Sequence, residues 1–409
     1  MSLVGSLFTG VSGLSGNSRA MNVIGDNIAN VNTVGFKSSK PVFGDVFSQV
    51  LNNGSSNYQV GLGSQVTDVI QSQAQGAFSS TTNALDIAMD GAGFFVVNNG
   101  SGSFYTRAGQ FRINDSGLVA NSTGHFLQGH SISSSGTLGS LGNIDLSGVQ
   151  SVPEATTSLT LGTNLNAAAT AASTFTTPAT VYNSTGQEVV LNITWTKAAG
   201  SATYSYSIAP STGTMSSGGT GTISFGPTGQ VLAVNGGSPA NISLGISYGA
   251  AANAQTITWN LVDGTGTPTG KLTGFSAASN NNSIVQNGFA TGTLIGLAVS
   301  GDGVINGSFD NGQTQNLYQI ALADFLAPTG LNRTGSNLFA ETAESGQPVT
   351  GLANTGGFGS IVGQTLELSN VDLATEFVNM IQTQQAFQAN ARLITTSDDL
   401  LTETVNLVR

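Results

Sequence analysis

Stepping along the N-terminal stretch by alternating threes and fours picks out Val4, Leu7, Val11, Leu14, Ser18, Met21, Gly25 and Ile28, six of the eight apolar. The same walk at the other end gives Leu373, Phe377, Met380, Gln384, Phe387, Ala391, Ile394, Asp398, Leu401, Val405 and Val408, nine of eleven apolar. A stripe confined to heptad a and d positions is narrower than the face a globular helix buries, and it suits a coiled-coil seam. Both ends are therefore expected to be helical. Ser369, with Asp372 three residues on, supplies a capping-box-like start for the C-terminal helix, which has no Gly or Pro from there to Arg409.

Between the two stripes the period changes to short alternating runs broken by Gly, Asn and Asp turns, which is strand patterning. Phe94 to Val97, Phe104 to Arg107 and Gln110 to Asn114 read as a β-meander. Residues 161–288 carry only Glu188, Lys197, Asp263 and Lys271 as charges and hold both tryptophans. They read as a separate β-domain, able to fold alone because its two ends must return to one place. Within it the string ITW occurs twice, at Ile193 to Trp195 and Ile257 to Trp259, each on a period-2 apolar face that suits one sandwich or barrel core.

The predicted fold class is mainly β with terminal α-helices: coiled-coil-like helices flank two β-rich domains, the outer inserted in the inner. The segments are 1–30 and 371–409 for the helical core, 31–70 and 355–370 for an extended connector, 71–160 and 289–354 for the inner β-domain, and 161–288 for the insert. Where the N-terminal helical segment gives way to the first connector, DNIANVNTVGFKSSK (Asp26 to Lys40) interleaves Asn27, Asn30 and Asn32 with Ile28, Val31 and Val34. Asparagine ends helices because its side chain competes for backbone hydrogen bonds, while the apolar residues mark a stretch that still packs. It reads as a joint outside any core, where replacing Gly35 and Phe36 by Ala is expected to cost the β-domains no more than about 1 kcal/mol.

Composition narrows the function. Ten Lys and Arg against 21 Asp and Glu give a net charge of −11, with no basic cluster to displace phosphate counterions, so nucleic acid is not an expected partner. The 409 residues contain no cysteine, which excludes disulfides and thiolate metal sites. Abundant Gly, Ser, Thr and Asn suggest an exported bacterial protein, yet the first cation is Arg19 and glycines interrupt every apolar run near the start. Neither a cleaved signal peptide nor a membrane-inserted segment fits that pattern.

Candidate chemistry is sparse. Asp90-Gly-Ala-Gly93 precedes FFVV rather than a helix and reads as a hairpin turn. Asp302, Asn306 and Asp310 lack the closing Glu of a calcium loop and read as hairpin loops. His125 and His130 read as surface residues without partner carboxylates. No catalytic constellation, metal or cofactor is expected, and the chain reads as a non-enzyme.

These residues resemble the bacterial flagellar axial proteins, the rod and hook subunits, and most closely the hook branch. GVSGLSGNSRAMNVIGDNIANVNTVGFKSSK is similar to the family's N-terminal signature, with Asn27, Asn30, Asn32, Gly35, Phe36 and Lys37 in order. LDIAMDGAGFFVV and YTRAGQF resemble its first β-domain, and SNVDLATEFVNMIQTQQAFQANARLI its C-terminal signature. The resemblance implies an extracellular structural subunit that self-assembles into a curved tubular joint carrying torque from rod to filament. It implies export by the flagellar type III apparatus without a cleaved signal. Partners would be further copies of the chain, the hook cap, the distal rod, the hook–filament junction proteins and the export apparatus. Assembly would use Leu7, Val11, Leu14, Met21 and Ile28 with Leu373, Phe377, Met380, Phe387, Ile394, Leu401 and Val405. Both terminal helices, the N-terminal one interrupted by Gly5, Gly10, Gly13, Gly16 and Gly25, are expected to order only in the polymer. A distal rod subunit, lacking the insert, and a secreted β-rich adhesin or glycan-active enzyme remain alternatives.

Overall fold

The structure is a computed structural model that describes residues 3–46, 49–52, 57–133 and 135–407, with side chains described over 5–46, 61–133 and 135–406. Val408 and the side chain of Val4 lie outside these, as do parts of the first connector. The chain is mostly strand, with a helix at each end, and divides into two compact units. One comprises Met1–Gly148, Gly296–Gly307 and Gln315–Arg409; the other comprises Val149–Ile295 with Ser308–Thr314. The second unit thus begins earlier than 161 and takes in a short later segment.

In the first unit, helix α1 spans Leu3–Ala29 and helix α2 spans Leu373–Leu407. They run antiparallel: Ser6 Oγ lies 3.2 Å from Ser397 Oγ, and at the other end Asn27 Nδ2 donates to Glu376 Oε1 at 3.1 Å. A Cβ added at Gly10 would stand 2.9 Å from Ile394 Cγ1, and one at Gly13 2.8 Å from the Asn390 side chain. At these glycines α2 comes too near for a Cβ, so their role is packing, and the helices are already paired within one chain. The α2 cap also differs from expectation. Asp372 Oδ1 accepts the Thr375 amide at 2.7 Å, so Asp372 is the cap itself, not the partner of a capping Ser369.

The stretch expected as an extended connector folds back on itself. Ser39–Asp45 pairs antiparallel with Ser64–Gln71, with an irregularity between Val42 and Phe43. The β-domain that follows is a sheet in which Phe94–Asn98 pairs with Ser103–Thr106 and Phe126–Ile132, while Thr314–Asp324 pairs with Phe126–Ile132, Phe94–Asn98 and Val349–Leu352. The expected meander holds for its first two strands only. Ser103–Thr106 takes Leu338–Ala340 as its second neighbour, and Phe111–Ile113 pairs with Val119–Asn121. The chain is diverted at Gly109, whose carbonyl accepts the Ile87 amide and whose missing side chain admits the Ile87 carbonyl. Nor is Asp90 to Gly93 a hairpin turn: Ile87–Asp90 pairs with Ser360–Gly363, so Gly91 and Gly93, at φ 111° and 121°, pass the chain from that pair into the main sheet.

The second unit is a sandwich. Five strands from Thr174–Tyr182 to Val231–Val234 run antiparallel in one sheet, and the other sheet centres on Ser158–Asn164 and Gln255–Trp259. The two ITW strings lie in different sheets and face each other, with the rings of Trp195 and Trp259 5.7 Å apart and wholly buried. One core therefore holds both. Its entering and leaving strands meet where Glu154 and Phe289 exchange two 3.0 Å backbone bonds.

Candidate assembly surface and joint

The joint begins at the last turn of α1. Asn27 is almost wholly buried: its Oδ1 accepts the Ser39 amide at 2.9 Å and its Nδ2 donates to the Ser39 carbonyl at 2.8 Å and to Glu376 on α2. One amide side chain thereby pins the helix end to the returning strand and to α2. Asn30 closes the turn locally, donating to the Asp26 carbonyl and accepting from Thr33, while Asn32 is exposed.

Gly35 lies at φ 69°, and a Cβ there would stand 2.7 Å from the backbone of Arg107 and Ala108. Only glycine fits both demands. Phe36 is buried under the Arg333 guanidinium, 5.1 Å above its ring. The joint is therefore part of the core of its unit, and the expectation that Gly35 and Phe36 sit outside one is corrected.

Lys37 is buried and donates to Glu367 Oε1 at 2.6 Å and to the Ala74 carbonyl at 2.9 Å. The same Oε1 accepts the Gly76 amide, and the Glu367 carbonyl accepts the Gly35 amide at 2.8 Å. Arg107, 3.6 Å from Glu367 Oε2, donates to the Gly91 carbonyl and lies over Phe94. Burial lowers the pKa of Lys37 and of Arg107, and the Glu367 charge works against that in both. Asn370 adds a second clasp, accepting from the Ser38 amide and donating to the Ser72 and Ala74 carbonyls. Sequence reasoning found the N-terminal half of this hub. It did not single out Arg107, Arg333, Glu367, Asn370 and Glu376, which lie far along the chain, although Arg107, Asn370 and Glu376 fall inside the family-like strings.

The apolar stripes are placed differently. On α1, Leu7, Leu14, Met21 and Ile28 are half-buried and Val11 is exposed; on α2, Met380, Phe387, Ile394 and Leu401 are half-buried, and Leu373, Phe377 and Val405 are exposed. The seam between the helices is instead built on Ser6, Gly10, Gly13 and Asn27 against Glu376, Asn390, Ile394 and Ser397. Phe8, Val378, Ile381 and Leu400, none of them in the expected stripe, are exposed as well. Beside the pair lies a groove of about 540 Å³ lined in part by Ala20, Ile24, Pro41, Phe43, Thr375 and Asn379. So many uncovered large apolar side chains on one helix pair mark a docking surface.

Elsewhere the candidate groups are engaged in turns. Thr293 donates to Asp310 and Asn354 to Asp302; His125 meets Thr123 and Phe104; His130 meets the Gly139 carbonyl. Among the described residues there is no cluster of three or more His, Asp or Glu side chains that could hold a metal ion, and no helix long and apolar enough to cross a membrane.

Four family models match. Residues 7–37 match the flagella basal body rod protein model, 88–164 the flagellar hook protein FlgE/F/G D1 domain, 149–289 the flagellar basal body protein FlaE D2 domain, and 362–407 the flagellar basal body rod FlgEFG protein C-terminal model. The flagellar hook protein FlgE of Borreliella burgdorferi is 35% identical, over 98% of this chain and 99% of that one. The FlgE of Treponema pallidum is 32% identical over 99% of both, and that of Brucella suis 33% over 100% of both.

Proposed function

As the chain belongs to the flagellar hook protein family, it is a structural subunit of the bacterial flagellar hook, and we propose that its copies self-assemble into a short curved tube that carries torque from rod to filament. The observation that carries this reading is the exposed apolar surface of the paired terminal helices. Phe8, Val11, Phe377, Val378 and Ile381 are uncovered in the single chain, and fully burying each such side chain is worth about 1.5–3 kcal/mol. A tube interior built from many such pairs supplies the cover, and α1 and α2, with the half-buried stripes along them, are the assembly elements.

The joint serves the second requirement. A tube that transmits torque needs each inner helix pair held rigidly to its own β-domain, and the Asn27, Gly35, Lys37 and Glu367 contacts provide that hold. The low charge of the second unit leaves few ion pairs to lock neighbouring copies, which suits sliding as the tube bends. Export takes place without a cleaved signal, through the flagellar export apparatus, and the ends of the tube meet the distal rod, the hook cap and the junction proteins. The role is mechanical, without catalysis. A distal rod subunit is disfavoured because the hook relatives align along the whole chain, insert included.

Electron microscopy of the purified chain under precipitating conditions tests this reading. Tubes of uniform diameter, straight or curved, are expected; a chain that stays monomeric under every such condition refutes it.

A further inference from the structure

The loop after Thr314–Asp324 turns outward abruptly. Phe325 is buried against Phe94 and Tyr105, with ring centroids 6.0 and 4.7 Å away, yet the next residue, Leu326, is 95% exposed. The loop that carries it is braced. The Ala327 amide bonds the Ser345 carbonyl, Thr342 Oγ1 donates to the Gly330 carbonyl at 2.6 Å, and Pro328–Gly330 forms one 3-10 turn. Val349, 63% exposed, pairs opposite Asp324 on the edge strand Val349–Leu352. Leu326 is thus an apolar knob on a hydrogen-bonded base, with Val349 exposed on the edge strand that pairs beside Asp324.

A second apolar patch lies on another edge of the same sheet. Among the described residues Leu138–Asn143 pairs only with Phe126–Ile132, and the register places Leu138 opposite Ile132 but Leu141 opposite His130. Between those two pairs, Gly139 and Ser140 on one strand thus face Ser131 alone on the other. This bulge puts both leucines on one face, whereas a regular strand would send them to opposite faces. That face is the outward one, since the adjacent Gly129 pairs with the fully buried Ile320 on the core side. Leu138 and Leu141 are both exposed, and no residue of Leu138–Asn143 is charged.

We propose that the Leu326 knob of one copy seats on the Leu138–Leu141 pad of a neighbouring copy. The inference rests on the polymer reading above and adds a specific contact to it. Knob and pad are different surfaces, with the strands Phe126–Ile132 and Thr314–Asp324 between them, so the contact is heterologous. A heterologous contact that does not close runs on from copy to copy into an open helical row, which is the arrangement a tube requires. The occupant is a second copy because the polymer holds identical surfaces against one another, and both patches are apolar and exposed in the single chain.

The cysteine-free sequence makes the test direct. Leu326→Cys and Leu141→Cys are combined in the full chain, tubes are assembled, and a mild oxidant is added before denaturing electrophoresis. A ladder of covalent multimers is expected. A control pairing Leu326→Cys with Ser116→Cys, at an exposed turn of the same unit, is expected to stay monomeric. Tubes that give no ladder, or an equal ladder from the control, overturn the contact while leaving the hook reading intact. Failure of the parent chain to form tubes overturns the hook reading and the contact with it.

Discussion

Lys37 Nζ donates a 2.6 Å hydrogen bond to Glu367 Oε1 across 330 residues of chain, and both side chains are buried. The bond ties the end of the N-terminal segment to the strand that leads into α2. Two cations, Lys37 and Arg107, share the one carboxylate. Replacing Glu367 by Gln leaves Lys37 buried without a counter-charge and Arg107 with only the field of Asp324, and breaking a buried pair in this way costs about 3–5 kcal/mol. Urea unfolding of the monomer is expected to show a loss of that size. A loss below about 1 kcal/mol would mean that the cluster does not hold the joint.

The glycines of α1 divide into two kinds. A Cβ at Gly25 meets nothing within 4 Å, whereas one at Gly10 meets Ile394 Cγ1 at 2.9 Å. Gly25→Ala is therefore expected to stabilise the helix by about 1 kcal/mol. Gly10→Ala gains the same propensity but overpacks the seam, at a cost of about 1–3 kcal/mol, and is expected to lower the melting temperature of the helical signal. The opposite ordering in circular dichroism melts would show that α1 and α2 do not meet along this seam.

Phe36 and Gly35 behave as core residues. Phe36→Ala is expected to cost about 3–5 kcal/mol, as for a buried aromatic. Gly35→Ala adds strain at φ 69° and a clash with Ala108. Calorimetry of the two single variants measures both effects. An unchanged melt for either would return the joint to the status of a linker.

Alkaline pH acts on the tyrosines. Burial, with the nearby Glu341 carboxylate second, pushes Tyr105 up to about 12, and burial also raises Tyr204, Tyr206 and Tyr248. A tyrosine whose pKa is higher folded than unfolded binds more protons in the folded state between those values. Its contribution is complete below about pH 10 and is lost as pH rises toward 12. Lys37 and Arg107 have the opposite sign. Burial lowers the pKa of each, so the deprotonation of Lys37 adds stability up to about pH 10.5 and that of Arg107 acts in the same direction, but they are two groups against four. Unfolding between about pH 10 and 12, with tyrosinate absorbance lagging until the fold is lost, is the expected titration. Ionisation of all seven tyrosines near pH 10 with the fold intact would contradict it.

The terminal helices and the β-rich middle were legible because their periods, 3.5 and 2, belong to different elements, and the facing ITW strands were legible for the same reason. The seam was not. Close helix packing here is made by Gly10, Gly13 and Asn27, and small or polar residues leave no trace in a hydrophobic pattern. The asparagine-rich joint announced itself through its unusual local composition, but its other half did not. Glu367, at the end of a short strand, and Arg107, in the bend after Ser103–Thr106, are isolated charges, and only the fold brings them within reach of Lys37. The diversion at Gly109 was hidden for a similar reason, since nothing near it in sequence reveals that Ile87 is its neighbour.

The account turns on the outer face of the helix pair, and a single variant tests it. Val11→Glu, Phe377→Glu and Ile381→Glu together place three charges on side chains that are exposed in the single chain. Because such surface substitutions usually change stability by less than about 0.5 kcal/mol each, the monomer is expected to melt close to the parent. Under conditions in which the parent forms tubes, the variant is expected to form none by electron microscopy and to remain in the supernatant after sedimentation. Tubes of the parent's diameter, formed at the parent's concentration, would contradict the claim that this face builds the polymer.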